Sequence, residues 1–209
     1  MLMNVRTGKG EKNLIVHEYR QSQIIEAARK IITTRGIQKL TVGNIAREVG
    51  FSGPALYRHV RNKQEVLRLV LDDIGNGLAN IGSKSLKKTD SPLNNLRDIF
   101  KLHLSYSEQR KGISFLVIDE VLRIEDKMLR NIANSIVKNY LIMIETILKS
   151  AIKTKQVSSE LDTWTASKLF FGMIQGSVTL WALHHSRFPL SERFEKMWNL
   201  YRKAIGVSV

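Results

Sequence analysis

LTVGNIAREVGFSGPALYRHVRNKQEVL, residues Leu40 to Leu67, packs three helix starts and a glycine turn into one short stretch. Thr41 is placed to cap a helix through its hydroxyl, and Val42, Ile45, Ala46 and Val49 line one face of that helix before Gly50 breaks it. A tight Gly50-Phe51-Ser52 turn leads into a helix opening on Gly53-Pro54, where proline is tolerated because first-turn amides have no intrahelical partner to lose. Asn62 caps a further helix, with Glu65 three residues on in the position of a capping box. The second helix, the turn and the third helix have the dimensions of a helix-turn-helix. Leu56 and Val60 pin the third helix inward, so Tyr57, Arg58 and His59 are left to project outward.

On the N-terminal side, Ile24, Ala28, Ile31 and Ile32 repeat at helical spacing, and Gly36 closes a helix over residues 22 to 35. Residues 1 to 20, with Arg6, Lys9, Lys12 and Arg20, show no clear period and read as a flexible basic arm or a frayed helix start. On the C-terminal side, Val66, Leu67, Val70, Leu71 and Ile74 extend the fourth helix, Gly75, Gly77 and Gly82 loosen its end, and residues 83 to 91 form a polar loop. Beyond Pro92 each sizeable segment is helical: Leu93, Leu96, Phe100, His103 and Leu104 share a face, Phe115 to Ile124 follows, and Ile132, Ile136, Tyr140, Ile144, Leu148 and Ile152 keep a four-residue spacing. Trp164 to Leu183 is apolar almost all round, and Phe194, Trp198, Tyr201 and Ile205 form a stripe. The expectation is an all-α protein of about nine helices: a basic arm (1–20), a three-helix helix-turn-helix head (21–66) and a C-terminal helical body (67–209).

Charge narrows the partners. The chain of 209 residues has 33 Lys and Arg against 19 Asp and Glu, a formal +14, and no cysteine. Residues 1 to 70 hold 13 basic and 5 acidic side chains, so the positive density is concentrated at the N-terminal end. Polyanions are the natural partners, nucleic acid before anionic membrane. The lack of cysteine excludes disulfides and thiolate chemistry and fits a reducing, cytoplasmic setting. Met1 to Gly10 lacks the hydrophobic stretch of a signal peptide, and the longest uncharged run, Leu169 to Leu183, falls short of the roughly 20 apolar residues that span a bilayer.

With the threonine opening the second helix, the Ile45-Ala46 pair, the Gly50-Phe51-Ser52 turn, the Leu56-Tyr57-Arg58-His59 run and Lys63 four residues past that histidine, the segment resembles the DNA-binding part of the TetR family of bacterial transcriptional regulators. The likeness is close from Ile24 to about Leu71 and elsewhere rests on helical layout. It implies a DNA-binding head joined through the fourth helix to an effector-binding and dimerisation body. It also implies that Thr41, Tyr57, His59 and Lys63 contact phosphates, while Ser52, Gly53, Pro54, Ala55 and Arg58 face the major groove. Val60 stands where the family usually has phenylalanine. Because Gly53-Pro54 offers few donors to base edges, Arg58 is the candidate guanine reader.

In the body, Phe100, His103, Phe115, Ile118, Leu122, Tyr140 and Met143 are the candidate walls of an apolar effector cavity; core filling is the competing reading. Gly172 and Gly176, four apart on one helical face and flanked by Phe171 and Leu180, are a strip where a neighbouring helix can approach closely. Paired with Phe194, Trp198 and Tyr201 of the last helix, they predict a four-helix interface across a two-fold axis.

Catalysis finds no support in the pattern. The five histidines, His17, His59, His103, His184 and His185, include no i, i+4 pair, and Asp72-Asp73, Asp119-Glu120 and Glu125-Asp126 are adjacent doublets on helices rather than facing dyads. No metal site, cofactor motif, phosphate-cradling loop or nucleophile elbow is expected. The reading is a homodimeric regulator, a repressor that binds a double-stranded DNA operator and is released by an apolar or amphipathic small molecule. A sequence-indifferent architectural DNA binder and a basic membrane-surface protein are the alternatives from other classes.

Overall fold

The computed structural model describes residues 9–86, 91–184 and 189–207. Arg6, His185 and the middle of the expected 83–91 loop lie outside them. Among the described residues there are nine α-helices, two short 3-10 turns and no strand. The chain divides into two compact units, residues 1–70 and 71–209, and the division falls inside the fourth helix.

The first unit holds α1 (Lys9–Arg35), α2 (Val42–Val49), α3 (Gly53–Tyr57) and the opening turns of α4 (Lys63–Leu86). Its core is Ile24, Ala28, Ile31, Ile32, Leu40, Ile45, Leu56, Val60, Val66 and Leu67, all essentially sealed from solvent. The expected arm over residues 1–20 is corrected in its second half: α1 already begins at Lys9. Past Gly10 no glycine or proline interrupts the chain before Gly36, so nothing stops helical propagation. Glu48 on α2 fastens the far end of α1, meeting Lys30 and, at 3.0 Å, Arg35. The hydrogen bond from Lys30, assisted by the charges of Lys30 and Arg35, holds the Glu48 carboxyl below the usual carboxylate range.

The second unit completes α4 and adds α5 (Pro92–Gln109), α6 (Ile113–Arg123), α7 (Lys127–Lys153), α8 (Thr163–Leu183) and α9 (Phe194–Ala204). α5 packs against α7, α8 and α9. Phe100 sits at that junction, with ring centroids 5.3 Å from Phe170 and 5.5 Å from Phe194, edge-on or tilted as aromatic quadrupoles prefer. Tyr201 is fully buried and donates its hydroxyl to the Ala166 carbonyl at 3.1 Å. The glycines of α4 serve differently from expectation. They do not loosen its end, because the helix runs on to Leu86. Instead Gly75 faces Ile136, Gly77 faces the Tyr106 hydroxyl and Gly82 faces the Met143 sulfur, so each admits a side chain where a Cβ would stand.

Candidate nucleic-acid interface

Of the three helix starts, two carry the side-chain cap that their residue types suit, while the Ser52 hydroxyl makes none. The Thr41 hydroxyl accepts from the Asn44 amide at 3.1 Å; Ser52 precedes α3 in an extended conformation; the Asn62 carboxamide accepts from the Glu65 amide at 2.9 Å. Glu65 in turn accepts from the Arg61 amide at 2.7 Å. Gly50 ends α2 with φ 76°, the left-handed region where any Cβ is strained, and so permits the short turn into α3. The Phe51 amide closes that turn on the Ala46 carbonyl at 2.9 Å.

α3 is anchored by Leu56 and, just past its end, Val60, both buried, and presents Tyr57, 55% exposed, together with exposed Arg58, Gly53 and Pro54; Ala55 and Lys63 are half-buried. Thr41 and Ser52 are also exposed. Every residue expected to meet DNA therefore belongs to one unit and keeps some of its surface open. His59 is half-buried, and its Nδ1 has no hydrogen-bond partner among the described residues. Desolvation, reinforced by the charges of His17, Arg20 and Arg58, pushes its pKa below the ordinary histidine value.

Two residues of this surface were not anticipated. The His17 ring lies 5.5 Å from that of His59, and the Arg20 guanidinium stands 4.8 Å above the Phe51 ring. Both come from the part of α1 read as an arm. Their i, i+3 spacing was the available signal, hidden because the residues between carry no hydrophobic period.

The body residues need more correction. Of the seven expected to surround one cavity, only Tyr140 and Met143 line the hollow of about 530 Å³ between α4 and α7. Phe100 is turned into the aromatic core, Phe115 and Ile118 are half-buried on α6, and Leu122 is 65% exposed. His103 is buried behind Tyr140, its Nδ1 2.8 Å from the phenol oxygen. The other walls of the hollow include Gly75, Leu78, Gly82 and Leu86 of α4.

At the expected dimer strip, Gly172, Gly176 and Leu180 are exposed and both glycines face open space. Phe171 is half-buried beside Tyr140. Phe194, Trp198 and Tyr201, expected to join the strip, are instead buried in the subunit's own core, because that stripe of α9 faces the junction of α5 and α8. Leu200, on the opposite side of α9, is 66% exposed. Among the described residues no helix is long and apolar enough to cross a membrane, and no cluster of three or more metal-ligating side chains occurs.

Comparison with known proteins agrees with this geometry. The family profile described as bacterial regulatory proteins, tetR family, matches residues 24–70, and the one described as YsiA-like protein, C-terminal region, matches residues 73–204. The nucleoid occlusion factor SlmA of Photobacterium profundum is 23% identical over 192 residues, covering 90% of this chain and 96% of that protein. The fatty acid metabolism regulator protein of Bacillus subtilis is 26% identical over 169 residues, covering 80% of this chain and 86% of its own. In fold, the chain resembles the fatty acid degradation regulator FadR of Bacillus halodurans, with a TM-score of 0.78 at 23% identity, covering 90% of this chain and 97% of that one. It likewise resembles the transcriptional regulator FadR of Bacillus subtilis in complex with stearoyl-CoA, with a TM-score of 0.75 at 24% identity, covering 86% and 96%. With its helix-turn-helix head and the YsiA-like region that spans more than half its length, this chain belongs to the TetR family of bacterial regulatory proteins.

Proposed function

We propose that the protein is a cytoplasmic, homodimeric, effector-responsive repressor. Two copies of α3 enter successive major grooves of a palindromic operator, and an apolar or amphipathic small molecule held in the body releases it. The observation that carries this reading is the convergence in one unit of three helix starts with exposed Tyr57 and Arg58. Free amides at helix N-termini and their partial positive charge suit phosphate oxygens, and an arginine on the outer face of α3 suits a guanine edge. The second copy docks on the exposed surface of α8 and α9 that carries Leu169, Gly172, Gly176, Leu180 and Leu200, since the two glycines let helices from two subunits approach closely and the leucines supply apolar area. A two-fold axis through that surface spaces the half-sites at one helical turn or a multiple of it.

The effector works by shifting a population. It releases DNA only to the extent that it binds the DNA-incompetent arrangement better. α4 is the element both functions share, since its first turns belong to the head and its later ones wall the hollow. The fatty-acid regulators among the relatives, one of them in complex with stearoyl-CoA, support a small-molecule effector.

The test is selection of a binding site from random oligonucleotides, followed by gel-shift titration at several salt concentrations. Arg58→Ala is expected to relax base preference. Lys63→Ala is expected to weaken binding to every sequence and to reduce the salt slope by about one unit. Unchanged binding by both variants removes the assignment, and enrichment of no palindrome favours the architectural alternative.

A further inference from the structure

Besides its buried core, α1 meets the helix-turn-helix at two further points. The Arg20 guanidinium lies 4.8 Å above the ring of Phe51, in the turn that joins α2 to α3, and its Nη1 donates to the Gln23 carboxamide at 2.9 Å. One turn earlier on the same face, the exposed His17 ring comes within 5.5 Å of that of His59, which follows α3. Two contacts three residues apart fix which face of α1 borders α3. Glu18 is the acid nearest in sequence, but at 3.6 residues per turn it is rotated roughly 100° from His17 and 160° from Arg20, off that face.

Packing does not account for the charge of Arg20. Elsewhere on α1 the cations are neutralised: Arg29 meets Glu26, and Lys30 and Arg35 meet Glu48. Neither Arg20 nor Arg58 meets a carboxylate among the described residues. The Nε and Nη2 of Arg20 make no hydrogen bond there, and neither is sealed from solvent. Behind desolvation and His17, the charges of Arg20 and Arg58 are what push the His59 pKa down, so both cations stand close enough to act on one ring. Two like charges held together without a counter-ion repel each other until an anion meets them. Stacking on Phe51 fixes the guanidinium plane and leaves an N–H edge free, the geometry that holds an oxyanion through two parallel bonds.

We infer that Arg20 is a further DNA-contacting residue, which holds an operator phosphate beside the turn between α2 and α3. α1 thereby becomes an element of the interface as well as a wall of the core. The inference rests on the reading of the head as a DNA-binding unit and adds to it a cation from outside the helix-turn-helix. A phosphate contact positions the protein without reading sequence, so this one acts equally on operator and unrelated DNA.

The test uses the full-length protein, its selected operator and an unrelated duplex of the same length, in gel shifts at several salt concentrations and pH 7.5. Arg20→Met keeps the reach of the side chain and its apolar contact with Phe51 but not its charge. It is expected to weaken binding to both duplexes about tenfold and to lower the salt slope by about one unit for each head bound. Weaker binding with an unchanged slope means that Arg20 only packs, and overturns the inference, as does binding equal to that of the natural protein. Should Arg20→Met fail to fold, phenylglyoxal labelling of the natural protein decides instead. Arg20 is expected to react at least fivefold faster in the free protein than in the operator complex; equal rates, or no reaction in the free protein, overturn the claim. Failure of the natural protein to bind either duplex removes the regulator and this contact with it, whereas intact binding with an unchanged slope removes the contact alone.

Discussion

The Nδ1 atom of His103 lies 2.8 Å from the phenol oxygen of Tyr140, with both side chains sealed inside the body. Burial pushes the His103 pKa from 6.5 down to about 4 and moves that of Tyr140 upward, so both are neutral through the physiological range. In the unfolded chain His103 takes up a proton near pH 6.5, whereas in the folded chain it resists until about 4. The unfolded state therefore binds more protons in this interval. Stability contributed by the pair is fully present above pH 6.5 and is lost as the pH falls toward 4, by about 3 kcal/mol in all. Urea titrations at pH 7.5, 5.5 and 4.5 measure this, and His103→Gln is expected to flatten the dependence; an equally steep loss in the variant assigns it to other groups.

Gly77 on α4 faces the Tyr106 hydroxyl so closely that a Cβ cannot be added without displacing the phenol. The Arg110 guanidinium stands over that ring, 4.6 Å from the centroid, and Arg110 is itself paired with Asp73 of α4. Gly77→Ala is expected to destabilise the body by about 1–3 kcal/mol through overpacking. In a Tyr106→Leu background the same change should cost little, because the obstacle is gone. Chemical denaturation of the four proteins of this cycle reads the coupling, and purely additive losses would contradict the contact.

At the turn between α2 and α3, Gly50 holds φ at 76°. Gly50→Ala is expected to cost about 1 kcal/mol, and Gly50→Asn less, since asparagine tolerates the left-handed region better. Thermal unfolding distinguishes the two, and equal midpoints would mean that the turn relaxes without strain.

On α8 the space beside Gly176 is open, and a Cβ added there meets no described atom within 4 Å. Gly176→Arg should leave the helical content of the monomer intact yet prevent a second copy from approaching. Light scattering is expected to give twice the chain mass for the natural protein and the single chain mass for the variant. The same mass for both places the interface elsewhere.

How much of this was legible in the sequence differs between the two units. In the head, the residues that start and stop the helices act on their own neighbours: Thr41 on the Asn44 amide, Asn62 on the Glu65 amide, Gly50 on the turn that follows it. Such signals are local, so sequence alone determines the helix-turn-helix and the outward direction of Tyr57 and Arg58. The three glycines of α4 were equally visible, but their partners Ile136, Tyr106 and Met143 come from other helices, so only packing reveals that they admit side chains.

The body also shows how periodicity misleads. Four residues advance a helix by about 40° beyond a full turn, so the row from Ile132 to Ile152 winds around α7. It starts half-buried at Ile132, passes through buried Tyr140, Ile144 and Leu148, and is half-buried again at Ile152. α8 is apolar all round, and α9 carries one apolar stripe plus Leu200. Composition cannot say which apolar face meets the chain itself and which meets another copy. The sequence by itself determined the all-helical layout, the caps at Thr41 and Asn62 and the helix-turn-helix head. The tertiary structure decided that Phe194, Trp198 and Tyr201 turn inward while Gly172, Gly176 and Leu200 remain outside, because burial depends on helices that lie far apart along the chain.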